Sequence, residues 1–185
     1  AKPTCFATLR PGLDQRTITI SGASKSYAMT GWRMGWAVGP DHVIKAMGNV
    51  QSQQTSCPSS VSQYALLAAL TGPQDCVAEM RREFEKRRNL VCRKLSEIPG
   101  VRFPQPDGAF YVFFHVSEYF GKKLPGGPFT DSAGFCRAAL ESARVNLVPG
   151  SAFGCEGYAR LSFAASTQEL EQGLNQLAQW LQSSK

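Results

Sequence analysis

Histidine is scarce in this sequence of 185 residues, and its cysteines are dispersed. His42 and His115 are the two histidines, and none of the six cysteines forms a C-x-x-C pair. A structural zinc site needs clustered cysteine and histidine ligands, so we expect no metal. With no secretory signal in view, dispersed cysteines favour reduced, mostly buried thiols in an intracellular protein.

Long apolar runs are also missing. Runs such as 65–70 and 109–114 fall far short of the roughly 20 residues that a membrane-spanning helix needs, so we expect no membrane partner. Residues 1–4 include neither an initiator methionine nor the start of an apolar signal-like stretch, so we expect the chain to begin inside a longer protein. The default location is cytoplasmic, and an organelle stays open because any transit peptide would lie upstream.

Three widespread active-site motifs are absent. The stretch 22–26 has Ser24 where a phosphate-binding P-loop has glycine before its lysine. The same stretch reads G-x-S-x-S and therefore lacks the final glycine of the hydrolase nucleophile elbow. No G-x-G-x-x-G motif occurs either. Generic patterns therefore give no support for a nucleotide-binding fold.

The charge balance is basic but mixed. The chain has 20 lysines and arginines against 14 aspartates and glutamates, a net charge of +6, which could serve an anionic partner such as nucleic acid. Many of the basic residues lie at 81–94, however, interspersed with Glu83 and Glu85. Mixed signs at helical spacing are typical of a solvated helix face, so we expect no nucleic-acid partner.

Hydrophobic periodicity predicts an α/β fold with a long helix in the middle. The predicted strands are 17–20, 36–38, 101–103, 109–116, 145–148 and 158–164. The predicted helices are 41–50, 60–70, 74–98, 130–143 and a last one after 166. Thr130 is predicted to cap its helix, and Ser166 with Glu169 forms a capping box before a stripe of leucines.

One stretch combines a lysine and an arginine in an unusual setting. Lys25 follows a predicted strand in a loop of small residues, and Arg33 comes eight residues later between glycine-flanked bulky residues. Small neighbours let a planar ligand approach the lysine, and an arginine is a two-pronged ligand for phosphate. This pair suits an aldehyde phosphate that forms a Schiff base. The alternative is a surface lysine beside a structural arginine.

The stretch 21–36 closely resembles the lysine segment of class I aminotransferases, which are fold type I pyridoxal-phosphate enzymes. The family pattern is S-x-S-K-x-[YF]-x-M-x-G-x-R-x-G, and this chain reads S-K-S-Y-A-M-T-G-W-R-M-G-W. That wording is most like the prokaryotic-type aspartate aminotransferases, a branch that includes glutamate/aspartate–prephenate aminotransferases. The resemblance continues through 81–88, 106–111, 148–154 and 159–164, and so covers nearly the whole chain.

The resemblance implies roles for particular residues. Lys25 would form the Schiff base with pyridoxal 5'-phosphate and shuttle the substrate's Cα proton. Arg33 would bind the cofactor phosphate. Arg160 would pair with the substrate α-carboxylate through two parallel hydrogen bonds and thereby orient the Cα–H bond. Taken alone, Arg160 could instead be an edge-strand arginine in water.

The chain departs from the family pattern at one position near the lysine. The family often has a hydroxyl three residues before the lysine, and this chain has Gly22 there. Ser24 or Ser21 is the expected substitute contact to the cofactor phosphate. Phe110 and Tyr111 are expected to be strand core rather than site residues.

Length is the larger departure, because such enzymes are about twice as long. By resemblance, the missing upstream half supplies the aspartate at the pyridine nitrogen and other cofactor contacts, so the chain is a fragment or is completed by another chain. We expect the C-terminal part of a fold type I transferase. It would consist of the end of the large cofactor domain (1–73), a connecting helix (74–98) and a small α/β domain (99–185).

The implied activity is transamination between aspartate or glutamate and a 2-oxo acid, in a full-length enzyme that is a homodimer. Three alternatives stay open at this point. The first is prephenate aminotransferase activity as the main role. The second is another fold type I activity, such as that of a β-lyase, and the third is a truncated, non-catalytic domain. On this interpretation the chain alone would be a poor catalyst.

Overall fold

The computed structural model describes residues 4–183 and divides the chain into two compact units, one ending at Met80 and the other beginning at Arg81. The α-helices are α1 (Ala23–Ser26), α2 (Asp41–Gln54), α3 (Ser60–Thr71), α4 (Asp75–Ser96), α5 (Ser132–Ala143) and α6 (Thr167–Gln182). The β-strands are β1 (Thr19–Gly22), β2 (Gly35–Val38), β3 (Tyr111–His115), β4 (Val148–Pro149) and β5 (Tyr158–Ser162).

The first unit contains an antiparallel pair of strands, β1 and β2, where two strands are predicted. β1 lies two residues later than the predicted 17–20, because Ser21 and Gly22 pair with β2. Gly22 at the end of β1 is opposite Gly35 at the start of β2. A Cβ on Gly35 would lie 3.0 Å from the Ser21 carbonyl oxygen, and one on Gly22 would lie 3.3 Å from that of Met34. The absence of side chains at both positions therefore lets the two strands approach closely where the pairing ends.

Helices α2 and α3 confirm the two predicted helices, and they end at Gln54 and Thr71 instead of the predicted 50 and 70. A small core of Ala23, Met29, Met34 and Leu66 joins α3 to the chain between β1 and β2. The opposite side of α3 is exposed, with 67% of Val61 and 75% of Tyr64 accessible. Only Leu66 of this apolar helix is buried.

Helix α4 is the long helix predicted at 74–98, and it ends shortly before Pro99. Ion pairs between residues four apart link successive turns of the helix: Arg81 pairs with Glu85 at 3.0 Å and Arg87 pairs with Glu83 at 3.0 Å. The predicted mixed-charge face is therefore confirmed. The two units meet in sequence within this helix, and the predicted domain boundaries remain a prediction.

The second unit packs helices on one face of a three-stranded antiparallel sheet ordered β3-β5-β4. Its core contains Phe114, Phe135 and Phe163, all at most 1% exposed. The predicted leucine stripe of α6 is confirmed, because Leu174 and Leu177 are buried in this core. Alternate residues of β5 face the helices, which leaves the intervening residues on the opposite face of the sheet.

β3 and β5 lie within the predicted strands 109–116 and 158–164 and are shorter than predicted, whereas two other strand predictions in this unit fail over most of their length. The run 101–103 makes only an isolated bridge from Arg102 to His115, and Pro104, which has no N–H, follows it directly. The run 145–148 pairs only from Val148 onward. The Val145 N–H instead donates to the Ala139 carbonyl oxygen at 3.2 Å, so the start of the run completes the end of α5.

The cap of α5 also differs from the prediction. Asp131, not Thr130, is the N-cap, and its carboxylate accepts a hydrogen bond from the Gly134 N–H at 2.6 Å. A carboxylate is a stronger acceptor than a hydroxyl at the positive end of a helix, so the helix begins at Ser132.

The cysteines are all free thiols, but the expectation that most are buried is wrong. Only Cys136 is buried, and burial raises the pKa of its thiol to about 12. Cys5, Cys57 and Cys76 are exposed. A dispersed cysteine pattern therefore gave no information about accessibility. Within residues 4–183, no helix is both long and apolar enough to cross a membrane.

The capping box of α6 is present as predicted and gives a stability test. Ser166 Oγ accepts from the Glu169 N–H at 3.2 Å, and Glu169 accepts from the Ser166 N–H at 2.9 Å. Ser166→Ala should lower the free energy of unfolding by about 1 kcal/mol in urea titrations. Gln168→Ala, in the same exposed turn, is the matched control and should change it by less than about 0.5 kcal/mol.

The same box predicts a pH dependence. The Ser166 hydroxyl and N–H lower the pKa of Glu169. A lowered folded-state pKa stabilises the protein at pH values above the ordinary glutamate pKa of about 4.3. That stabilisation is lost as the pH falls through the lowered pKa. The difference between the wild type and Ser166→Ala should therefore shrink in acid, and a constant difference would contradict the assignment.

Candidate active site

Lys25 lies in the single-turn helix α1, immediately after β1, and not in the loop that the sequence predicts. The helix starts at Ala23, which is fully buried and whose N–H donates to the Met34 carbonyl oxygen at 3.1 Å. This bond continues the β1–β2 ladder by one step and fixes Ala23. The helical turn that follows is closed by the Tyr27 N–H, which donates to the Ala23 carbonyl oxygen at 3.2 Å. Lys25 itself is on the exposed side.

Arg33 ends the same connection in a strained backbone conformation. Ala28 and Arg33 have φ values of 53° and 54°, in the left-handed region that non-glycine residues rarely adopt. Each costs about 1–2 kcal/mol relative to the right-handed region. The Arg33 guanidinium donates to the Thr30 carbonyl oxygen at 2.9 Å. Strained residues of this kind cluster at functional sites.

Packing and hydrogen bonds hold this strained connection. Met29 and Met34 are each 8% exposed and pack with Leu66 of α3. The Tyr27 hydroxyl donates to the Gln74 side chain at 2.8 Å, and Gln74 in turn donates to the Gly72 carbonyl oxygen at 2.8 Å. The connection is therefore fixed from both its middle and its ends.

The structure brings Ser24, Lys25 and Arg33 to one end of the β1–β2 pair. The backbones of Ala23 and Met34 are hydrogen-bonded to each other. Lys25 lies two residues after Ala23, and Arg33 directly precedes Met34. Ser24 is half-buried in α1. One amine, one guanidinium and one hydroxyl therefore belong to a single closed segment, 23–34, whose two ends are hydrogen-bonded to each other.

Arg160 lies in the other unit, on the central strand β5, where it is opposite both Phe113 of β3 and Val148 of β4. The alternative that it is an edge-strand arginine is therefore wrong. Its strand neighbours Ala159 and Leu161 are buried, so the Arg160 side chain is on the face opposite the helices.

Two aromatic rings contact the Arg160 guanidinium. Its central carbon is 4.2 Å from the centre of the Tyr111 ring and 4.6 Å from that of Phe153. The sequence interpretation placed Tyr111 in the strand core, and this is wrong. Period-2 alternation puts Val112 in the core and Tyr111 on the Arg160 face, a signal that was available in the sequence. Nothing in the sequence pattern indicated Phe153.

Comparisons with known proteins decide the family. The family profile for aminotransferase class I and II matches residues 2–177. The chain belongs to this family. The resemblance inferred from the lysine segment is thereby confirmed. Members of the family in general depend on pyridoxal phosphate and act on amino acids and 2-oxo acids.

Individual relatives agree with this aminotransferase assignment. The aspartate aminotransferase of Rhizobium meliloti (strain 1021) is 50% identical over 173 residues, which are 93% of this chain and 42% of that protein. The aspartate/prephenate aminotransferase of Cereibacter sphaeroides is 47% identical over 167 residues, which are 90% of this chain and 42% of the relative. The chain thus spans less than half the length of these relatives.

Solved structures of aminotransferases confirm the fold class. A Rhizobium meliloti aspartate aminotransferase matches with a TM-score of 0.90 and 47% identity, over 97% of this chain and 45% of that one. An aromatic aminotransferase from Pyrococcus horikoshii matches with a TM-score of 0.87 and 38% identity, over 98% and 47%. The α/β fold expected for part of a fold type I transferase is therefore confirmed.

The strain in the Lys25–Arg33 connection gives a prediction. Ala28→Gly should raise the free energy of unfolding by about 0.5–1 kcal/mol, because glycine adopts positive φ freely and this relief exceeds its entropic cost. Ala37→Gly, within the extended strand β2, is the matched control and should lower it. Urea titration of both variants checks this, and a lower stability for Ala28→Gly would argue against strain at this position.

Proposed function

We propose that the protein containing this chain transfers an amino group between aspartate or glutamate and a 2-oxo acid, with pyridoxal 5'-phosphate as cofactor. The observation that carries the proposal is the closed β1–β2 segment, which presents Lys25 and Arg33 from one end. The 50% identity to an aspartate aminotransferase supports the substrate class. Since this chain spans 42% of that relative, the remaining cofactor contacts would come from protein outside it.

The residues present fit the cofactor chemically. An aldehyde needs an amine, which Lys25 supplies, and a phosphate needs cationic and hydroxyl donors, which Arg33 and Ser24 supply. Gly22 has no hydroxyl at the position where the family often has one, so we assign that phosphate contact to Ser24, with Ser21 as the alternative. When bound, pyridoxal phosphate supplies an electron sink for the carbanion left by loss of the Cα proton.

Lys25 has two roles in this proposal. Its Nζ would hold the cofactor covalently through the aldehyde while no substrate is bound. With substrate bound, the same amine would act as the base for the substrate Cα proton. Lys25 is exposed in α1, so its amine is accessible to the groups that both roles involve.

Arg160 binds and orients the substrate. Its guanidinium edge pairs with the α-carboxylate through two parallel hydrogen bonds, which every amino acid and 2-oxo acid substrate offers. A fixed carboxylate leaves the Cα–H bond in one orientation, and such positioning accounts for a large part of enzymatic rate enhancement. The sheet supports this role because Arg160 is on its central strand.

A second acceptor has specific support. The relative from Cereibacter sphaeroides, 47% identical to this chain, is named an aspartate/prephenate aminotransferase. We therefore propose prephenate as an additional amino acceptor, to be assayed beside 2-oxoglutarate. A homodimer is the proposed assembly of the full-length enzyme.

The role of Lys25 is tested by trapping the cofactor. Borohydride reduction of the full-length protein with pyridoxal phosphate should give a pyridoxyl adduct that peptide mapping places on Lys25. Lys25→Ala should lose the adduct, the absorbance of lysine-bound cofactor and nearly all turnover. Lys45→Ala is the matched control, since Lys45 is 75% exposed and paired with Asp41, and it should retain all three.

Full turnover by Lys25→Ala would show that another residue bonds the cofactor. The absence of any adduct in the wild type would favour the non-catalytic alternative. An adduct without amino transfer would favour a different fold type I activity, such as a β-lyase.

Arg160→Ala should lower kcat/KM for all amino acid substrates alike, because all of them carry the α-carboxylate. Loss of a charge-assisted bidentate pair should lower kcat/KM by a factor equivalent to about 2–5 kcal/mol. Arg102→Ala is the control, since Arg102 is an exposed arginine of the same unit paired with Glu118. Steady-state kinetics with aspartate, glutamate and alanine check this. A loss confined to the dicarboxylic substrates would place Arg160 at the side-chain pocket instead.

A further inference from the structure

Phe153 is a large apolar residue whose position burial does not explain. It is 49% exposed and ends the 3₁₀ turn Gly150–Phe153 between β4 and β5. Its ring contacts the Arg160 guanidinium at 4.6 Å and meets the Phe113 ring edge-on at 6.0 Å. A half-exposed phenylalanine gains little from the core, so its contact with a charged group is the feature that requires an explanation.

Tyr111 reaches the same guanidinium from the neighbouring strand. It is opposite Ser162, two positions along β5 from Arg160, so it is the diagonal neighbour of Arg160 on one face of the sheet. At 4.2 Å, its ring is within stacking distance of the guanidinium. Arg160 is therefore contacted by a ring from β3 and by another from the turn before β5.

The turn that carries Phe153 is held by a hydrogen-bond network. Ser132 at the start of α5 is fully buried, and its Oγ accepts from the Ser151 N–H at 3.2 Å. The Glu156 carboxylate accepts from the Ser132 N–H at 2.5 Å and from the Gly157 N–H at 2.9 Å. These backbone bonds lower the pKa of Glu156, so it stays ionised and bonded at neutral pH.

The turn also has no room to move at its first residue. A Cβ on Gly150 would lie 2.2 Å from the Cys155 carbonyl oxygen and 2.6 Å from that of Tyr158. The backbone at Gly150 is thus packed directly against the residues that lead into β5. Together with the bonds from Ser132 and Glu156, this contact fixes the position from which Phe153 extends.

We propose that Phe153 and Tyr111 are positioning residues that hold the Arg160 guanidinium in the orientation in which it binds the substrate α-carboxylate. The proposal rests on the function proposed for Arg160. Aromatic rings stack on the face of a guanidinium, whereas its N–H donors point outward in its plane. Stacking therefore leaves the donors available to a carboxylate. It also orders a long side chain before the substrate arrives, which lowers the entropic cost of binding.

The effect should appear in substrate binding more than in the chemical step. Phe153→Leu in the full-length protein should raise KM for aspartate and glutamate by about 2- to 30-fold, the range of a lost cation–π contact, and change kcat by less than about twofold. Phe153→Tyr keeps the ring and should restore the wild-type KM. Glu156→Ala, which releases the turn, should raise KM in the same direction. Phe6→Leu, at an exposed phenylalanine of the other unit, is the matched control.

A chemical readout separates this proposal from the proposed function. Phenylglyoxal modification, mapped by mass spectrometry, should be faster at Arg160 in Phe153→Leu than in the wild type, because the stacked ring no longer covers the guanidinium. The rate at Arg102 in the same sample is the internal reference. This measurement requires no transamination.

The outcomes distinguish the two proposals. A higher KM together with faster modification at Arg160, both restored in Phe153→Tyr, supports the positioning role. An unchanged modification rate, or a lower kcat with unchanged KM, overturns it. If Arg160→Ala leaves the kinetics intact while modification at Arg160 is still faster in Phe153→Leu, the stack exists, and the proposed function of Arg160 has failed together with the role built on it.

Discussion

The close pairing of Gly22 with Gly35 is the constraint on which the candidate cofactor site depends. Because neither residue has a side chain, β1 and β2 approach until a Cβ on Gly35 would lie 3.0 Å from the opposite backbone. The bond from Ala23 to Met34 follows from that approach. Lys25 and Arg33 therefore lie at the same end of the strand pair, although eight positions separate them in sequence. Packing of the two methionines against α3 maintains the strained backbone between them.

Arg160 is positioned by a different kind of structure. Its place follows from the regular alternation of a central strand, with the phenylalanine-rich core on the opposite face of the sheet. Arg160 lies in regular extended strand, and the turn that supplies Phe153 is held by hydrogen bonds to the start of α5. The two units thus position their candidate residues in different ways, one through a strained connection and the other through an ordinary sheet.

Much of the fold was predictable because it depends on local pattern. Helix α4 follows from its apolar stripe and mixed charges, and α6 follows from its capping box and leucines. Strand lengths were less predictable, since pairing depends on the partner: the run at Val145 completes a helix end instead of joining the sheet. The helical turn at Lys25 also depends on a distant residue, Met34, which no local pattern identifies.

The candidate site divides in the same way. Lys25, Arg33 and Arg160 were identified from motifs in the sequence, and their roles remain proposals. Tyr111 was assigned to the wrong face although strict alternation from Val112 indicated the correct one. Phe153 was not identifiable, because its contact with Arg160 depends on a turn whose position is set by Ser132 and Glu156, which lie 24 residues apart in sequence.

The difference in core size between the two units has a consequence for local unfolding. The first unit buries only four apolar side chains in its core cluster and leaves most of α3 exposed, whereas the second buries a large aromatic and aliphatic core. The free energy of local opening rises with the number of buried apolar contacts. The backbone amides around Lys25 should therefore exchange hydrogen with solvent through openings of lower free energy than those of β5. The lysine segment is therefore held by a small core of its own unit, while the strand that bears Arg160 is rigid through a much larger one.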